Sequence, residues 1–189
     1  SNKILIIFLG ICIYRNLNIY GLDAQTQEFQ LIKLWVKTWI SFCTQKIANI
    51  ASPSDINVLA VIQYAVEHLR VEDIIVSGHY KCGGIKAAFK QNDFGPLESW
   101  LSQIRELRCK FRDSLLGNQE QKEHTLIELN VKQQVINVSR NPAVQQAWSH
   151  GQKLHIHGVV YNIADGILKD LGRLHQKYST CQNNIELLK

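Results

Sequence analysis

The chain has 189 residues, of which 46% are hydrophobic and 20% are charged, and its formal net charge at pH 7 is +5. This length and balance predict one domain with a sizeable core, and they exclude a disordered chain, a collagen-like repeat and a disulfide-stabilised miniprotein. The Lys and Arg residues are scattered and form no basic stripe, so nucleic acid is not an expected partner. The five Cys residues are widely spaced, which predicts reduced thiols or metal ligands and therefore a cytoplasmic protein.

The first part of the chain has no regular pattern. The uncharged run at residues 4–14 is too short to cross a bilayer, so no membrane partner is predicted. Residues 15–43 show neither a steady helical period nor a strand alternation. We therefore predict an aberrant segment at residues 1–43, with no assigned structure, and a folded domain at residues 44–189. Because the chain contains no Met, we expect a fragment or the product of an altered gene.

Regular elements are predicted from Ser52 onward. A helix begins near Asp55, where a Pro-Ser-Asp start signal precedes apolar residues at helical spacing. The remaining predicted elements, in chain order, are a strand at 74–77, helices at 85–89, 96–108 and 123–139, a short helix up to Trp148, a strand at 153–161 and a helix at 163–171. Strands separated by helices predict an α/β domain with a mostly parallel β-sheet flanked by helices.

Potential chemistry concentrates in Ser77-Gly78-His79-Tyr80-Lys81-Cys82-Gly83-Gly84, where the first predicted strand ends. His79 and Cys82 are two residues apart, so one loop can bring both to the same metal ion. Imidazole nitrogen and thiolate sulfur are ligands that zinc takes, and the glycines are expected to allow the tight backbone of such a loop. The alternative is a strand-to-helix turn with an unrelated His and Cys. The residues of the loop alone leave these two interpretations about equal.

Two other groups of residues are weaker candidates. His155 and His157 alternate on one predicted strand, so their side chains share a face and are able to share a metal ion. No third ligand is nearby in the sequence, and a role in packing or at the surface is expected instead. Cys109 lies among basic residues of a predicted helix, where an unreactive thiol is expected.

The segment from Ile74 to Ile85 resembles the second zinc motif of the β-class carbonic anhydrases. The similarity covers about residues 47–171 and includes Ile47-Ala48-Asn49-Ile50, Val61-Ile62-Gln63-Tyr64-Ala65-Val66, Glu128-Leu129-Asn130-Val131 and His157-Gly158-Val159-Val160-Tyr161. The resemblance implies the α/β fold of that family, zinc held by two Cys and one His, and reversible hydration of carbon dioxide to bicarbonate. His79 and Cys82 match the family's His and its second Cys. A homodimer or a larger homo-oligomer is also implied.

The family's first zinc motif, Cys-x-Asp-x-Arg, is missing from the chain. Counting back without gaps places its three residues at Asp23, Gln25 and Gln27, and none of them matches. Codons compatible with residues 19–32, read from the third base of each, allow the translation Leu-Trp-Ile-Gly-Cys-Ser-Asp-Ser-Arg-Val-Pro-Ala-Asn-Gln, which contains that motif. We therefore hypothesise that residues up to about 43 were translated out of frame.

Two functions are compatible with this pattern. The first is a zinc-dependent carbonic anhydrase, a lyase that acts on carbon dioxide and bicarbonate. The alternative is a catalytically inactive, non-enzymatic remnant of that family, because two protein ligands hold zinc more weakly than three. Catalytic residues other than the two candidate zinc ligands are not predicted.

Overall fold

A computed structural model describes residues 4–9, 40–46, 48 and 50–175. The positions of the missing motif, Asp23, Gln25 and Gln27, lie outside these described residues, so the out-of-frame hypothesis stays a prediction. Residues 1–43 were predicted without an assigned structure. The structure describes two strands there: β1 (Ile4–Leu9) lies within this segment, and β2 (Ile40–Lys46) extends beyond its end. Strand β2 includes residues on both sides of position 43. The proposed domain boundary at that position also stays a prediction.

The described strands form one five-stranded sheet in the order β2-β1-β3-β4-β5. The other three strands are β3 (Asp73–His79), β4 (His155–Tyr161) and β5 (Leu168–Leu174). The pairs β2-β1, β1-β3 and β3-β4 are parallel, and only the edge pair β4-β5 is antiparallel. The predicted α/β class with a mostly parallel sheet is therefore confirmed.

Helices connect and cover the parallel strands. They are α1 (Ile56–Gln63), α2 (Gly83–Ala88), α3 (Glu98–Lys110), α4 (Gln119–Ser139) and α5 (Pro142–Ser149). Local sequence explains where they begin, because Asp55 accepts hydrogen bonds from the first turn of α1, and Asn118 forms a reciprocal capping box with Gln121 at the start of α4. Asn141 caps α5, whose first residue is Pro142.

The core lies between the sheet and these helices. Strand β3 is buried from Ile74 to His79, as expected for a central parallel strand that is covered on both faces. Helix α4 packs across β3 and β4. Gly158 on β4 allows the close approach, because a Cβ atom there would lie 3.1 Å from Cγ2 of Val135 on α4. The buried part of β3 extends to its last residue, His79.

The helix predicted at 163–171 is wrong, because this region is a hairpin that leads into strand β5. Asn162 N–H donates to the carbonyl of Ile167 at 2.8 Å, and Gly166 adopts a left-handed φ of +75° in the turn. In β5 the buried Leu171 and Leu174 are three residues apart, a spacing that a helix also produces, because a register shift against β4 adds one residue between them, where Gly172 has a φ of +99°.

Candidate functional site

His79 is the last residue of β3 and lies opposite Tyr161 of β4 in the sheet. Its side chain belongs to the buried polar groups, with the residue 6% exposed. Burial disfavours the charged imidazolium and lowers the pKa of His79 below its ordinary value of 6.5. The neutral imidazole is the form that binds a metal ion, so the fold holds His79 in the protonation state that a ligand needs.

Cys82 follows within one short turn and precedes the first residue of α2. It is also buried, with 5% of its surface exposed, and it is a free thiol. The turn is held to the neighbouring strand because Tyr80 N–H donates to the Tyr161 carbonyl at 3.0 Å. The sequence therefore correctly placed a His and a Cys on one connection at the end of a buried strand.

No glycine of this connection adopts a left-handed backbone conformation. Gly78 lies inside β3, whereas Gly83 and Gly84 begin α2. None of the three has a positive φ; the left-handed residue of the turn is Lys81, with φ +62°. A Cβ atom at Gly83 would meet no atom within 4 Å. The backbone strain that allows the turn is thus carried by Lys81, a non-glycine residue that rarely adopts this conformation.

A polar network holds Tyr80, one of the two residues between the candidate ligands His79 and Cys82. The Tyr80 hydroxyl donates to Oε1 of Glu128 on α4 at 2.6 Å, and Lys169 Nζ on β5 donates to the same oxygen at 2.7 Å. The Tyr80 ring lies 4.3 Å from the His124 ring, centroid to centroid. Burial and then the hydrogen bond to Glu128 raise the pKa of Tyr80 well above its ordinary value, so the phenol stays protonated and continues to donate.

The sequence did not predict this network. Its members are far apart along the chain, and Lys169 was assigned to a helix in place of the strand that carries it to Glu128. The one available signal was Glu128 itself, which belongs to a segment that resembles the family. The network joins α4 and β5 to the turn, and it positions that turn without contributing an expected metal ligand.

Within the described residues, no third His, Cys, Asp or Glu forms a close three-residue group with His79 and Cys82. The two side chains offer one nitrogen and one sulfur donor, both shielded from solvent, and this donor set fits zinc.

Cys109 lies exposed on α3, as expected for a surface thiol. In the part of the chain that the structure describes, no helix is long and apolar enough to cross a membrane.

Comparison with known proteins identifies relatives over most of the chain. The family model described as carbonic anhydrase matches residues 40–168. A carbonic anhydrase of Emericella nidulans is 39% identical over 132 residues, which are 69% of this chain and 58% of the relative. A carbonic anhydrase of Candida albicans is 34% identical over 134 residues, which are 69% of this chain and 47% of the relative. The chain thus spans about half the length of these curated relatives.

Solved structures of similar fold cover the chain more completely. The Coccomyxa β-carbonic anhydrase in complex with acetazolamide is 30% identical, with a TM-score of 0.73 over 92% of this chain and 73% of that chain. A β-carbonic anhydrase of Aspergillus fumigatus is also 30% identical, with a TM-score of 0.74 over 90% of this chain and 75% of that chain. One of two tetrameric β-carbonic anhydrases of Sordaria macrospora is 28% identical, with a TM-score of 0.74 over 92% of this chain and 83% of that chain. By its matched sequence and by its fold, this chain belongs to the β-carbonic anhydrase family.

Proposed function

We propose that this chain is a zinc-dependent carbonic anhydrase that catalyses the reversible hydration of carbon dioxide to bicarbonate, with His79 and Cys82 as two of the zinc ligands. One observation carries the proposal: a buried His and a buried Cys lie on the same turn at the carboxyl end of a central parallel strand. In open α/β sheets this edge is where ligands bind. The family of the chain supports the reaction, because its relatives are named carbonic anhydrases.

His79, Cys82 and Tyr80 have distinct roles in this proposal. His79 offers a neutral nitrogen donor, since burial lowers its pKa. Cys82 offers a sulfur donor at a position where little solvent competes. Zinc, when bound, supplies a Lewis acid that lowers the pKa of water towards neutrality. Tyr80 is a positioning residue, because its hydrogen bond to Glu128 holds the backbone that links the two ligands.

Cobalt substitution tests the ligand assignment directly. Co²⁺ bound to a thiolate shows a sulfur-to-metal charge-transfer band in the near ultraviolet, which nitrogen and oxygen ligands do not produce. We expect this band in the unaltered chain and its loss in Cys82→Ser, whereas Cys109→Ser removes only an exposed thiol and keeps the band. His79→Gln is expected to weaken the band by lowering the cobalt affinity. A band that survives in Cys82→Ser would contradict the assignment.

The activity needs a separate measurement. Stopped-flow hydration of carbon dioxide by the zinc-loaded chain is expected to exceed the buffer rate and to fall to that rate in Cys82→Ser. If the unaltered chain shows neither the thiolate band nor activity, the inactive remnant is the correct description.

We further propose a homodimer or a larger homo-oligomer, since the Sordaria macrospora relatives are tetrameric. Sedimentation velocity of the unaltered chain measures this, and a monomer at micromolar concentration would refute it. A cytoplasmic location stays a prediction.

A further inference from the structure

A second group of metal-ligating side chains lies at the amino end of the same strands, at the opposite edge of the sheet from His79. Asp73 is the first residue of β3 and His155 the first of β4, and the two are partners in the parallel register. His157 lies two residues further along β4, so its side chain is on the same face as that of His155. The sequence predicted the shared face of the two histidines but supplied no third ligand.

The donor atoms of the three side chains already lie close together. Oδ1 of Asp73 is 2.8 Å from Nε2 of His157 and 3.4 Å from Nδ1 of His155. One donor atom from each residue can be chosen so that all lie within 4.8 Å of one another. The side chains of Asp73, His155 and His157 are 23%, 24% and 21% exposed, so the group is sheltered and still reachable from solvent.

We propose that Asp73, His155 and His157 form a second metal site, which binds a divalent transition-metal ion such as zinc independently of His79 and Cys82. Two imidazoles and one carboxylate are a ligand set that zinc and related ions take in proteins, with further positions left to water. Ligand bonds of about 2.0–2.2 Å in a tetrahedral arrangement separate the donor atoms by roughly 3.4 Å. The observed separation of 3.4 Å from His155 equals that value, whereas the 2.8 Å hydrogen bond from Asp73 to His157 must lengthen for both side chains to bind one ion.

The surroundings of Asp73 favour the ionised form of its side chain over the protonated form. Burial by itself raises the pKa of Asp73, but the hydrogen bond and charge of His157, together with those of His155, lower it on balance. The carboxylate is therefore ionised. The neighbouring acid, Glu72, pairs with Lys153 at 3.3 Å, which leaves the three-residue group as the ligand set.

The backbone holds the three residues in place before any ion binds. Strands β3 and β4 are paired along their whole length, and His155 N–H donates to the Glu72 carbonyl at 2.9 Å beside the group. A site on paired central strands needs little ordering when it binds, which favours affinity. Its partial exposure predicts rapid exchange of the ion with solution.

Titration with Co²⁺ in the Cys82→Ser background of the full chain tests the site without interference from the thiolate. We expect one bound cobalt ion, seen by isothermal calorimetry and by visible d–d absorption, with no sulfur charge-transfer band. Asp73→Asn in the same background keeps hydrogen-bonding capacity but removes the anionic ligand, and it should weaken binding at least about tenfold. His157→Gln should do the same. His150→Gln, which removes an exposed histidine outside the group, should leave the affinity unchanged.

The outcomes separate this site from the proposed catalytic one. The second site would be overturned if Cys82→Ser did not bind cobalt, or if Asp73→Asn and His150→Gln had equal affinity in that background. The thiolate band of the unaltered chain would still report on the first site. Circular dichroism checks that each variant is folded. If Asp73→Asn does not fold, His155→Gln and His157→Gln provide the same comparison, and unchanged affinity in both would refute the proposal.

Discussion

A buried amide network joins the chain that follows β2 to helix α4, and it should be sensitive to a single substitution. Gln134 Oε1 accepts from Ala51 N–H at 2.9 Å, and Gln134 Nε2 donates to Asn130 Oδ1 at 2.9 Å. Asn130 Nδ2 in turn donates to the Ala48 carbonyl at 2.9 Å. Gln134 and Asn130 are 3% and 2% exposed, so water cannot replace these hydrogen bonds at low cost.

Gln134→Met keeps the approximate length of the side chain and removes its polar atoms. The substitution removes three hydrogen bonds: the one that Ala51 N–H donates to Gln134, the one that Gln134 donates to Asn130, and the one at 2.9 Å that Asn137 Nδ2 donates to Gln134 Oε1. An unsatisfied buried polar group costs about 1–3 kcal/mol, and the gain from a more apolar side chain offsets part of the sum. We expect the free energy of unfolding to fall by about 2–4 kcal/mol, a large share of the ~5–15 kcal/mol typical of a domain.

Urea unfolding followed by circular dichroism measures this loss. Gln133→Met is the matched control, because Gln133 is the preceding residue of α4, is only partly buried, and has a single side-chain hydrogen bond to Asn137 at 3.0 Å. Its expected loss is below about 1 kcal/mol. Equal losses in the two variants, or a loss below about 1 kcal/mol in Gln134→Met, would show that the network does not stabilise the fold as reasoned.

Three further predictions concern the sheet and its surroundings. Gly158→Ala should lower the free energy of unfolding by about 1–3 kcal/mol, since the added Cβ would lie 3.1 Å from a methyl group of α4. The control Gly83→Ala adds a Cβ that faces open space, and it should change the free energy by less than about 1 kcal/mol. Similar losses for the two variants in urea unfolding would contradict this prediction. The metal-free chain should lose stability as pH falls below 6.5, because burial lowers the pKa of His79 and the unfolded state takes up the proton first. In chelator, His79→Gln should reduce that pH dependence, and an unchanged slope would refute the assignment. Trp148→Phe should cost about 1–2 kcal/mol in the same assay, as it removes the 2.9 Å hydrogen bond from Nε1 to the Leu154 carbonyl, and no loss is the contrary result.

The sequence predicted the elements that local signals define. Asp55, Asn118 and Asn141 each cap the helix that follows them, and a helix was predicted close to each of these positions. The apolar run before His79 was correctly identified as a buried strand. Strand β5 was not predicted: its register shift against β4 places the buried Leu171 and Leu174 three residues apart, and a helix produces the same spacing. Sequence spacing alone does not distinguish these two causes.

The candidate sites also differ in whether their residues are close in sequence or meet only in the fold. His79 and Cys82 are near neighbours in sequence, so their common turn could be predicted without knowledge of the fold. Asp73 and His157 are 84 positions apart and meet only because β3 and β4 pair in one particular register. The same holds for Tyr80 and Glu128, which are 48 positions apart. Contacts of this kind depend on strand order and register, which a single sequence specifies only through the complete fold.

Strand β3 carries candidate metal ligands at both of its ends, and this arrangement affects how the proposed function can be tested. Three candidate ligands lie at the amino ends of β3 and β4, whereas His79 and Cys82 are the candidates that the described residues provide at the carboxyl end of β3. Because a metal that binds only the folded state stabilises it, zinc at the amino end would raise the unfolding temperature and the measured metal content without producing activity. A stoichiometry of one zinc per chain is therefore compatible with an inactive protein. The thiolate band and the effect of Cys82→Ser on carbon dioxide hydration report on the carboxyl end alone, so they discriminate between an enzyme and a metal-binding remnant.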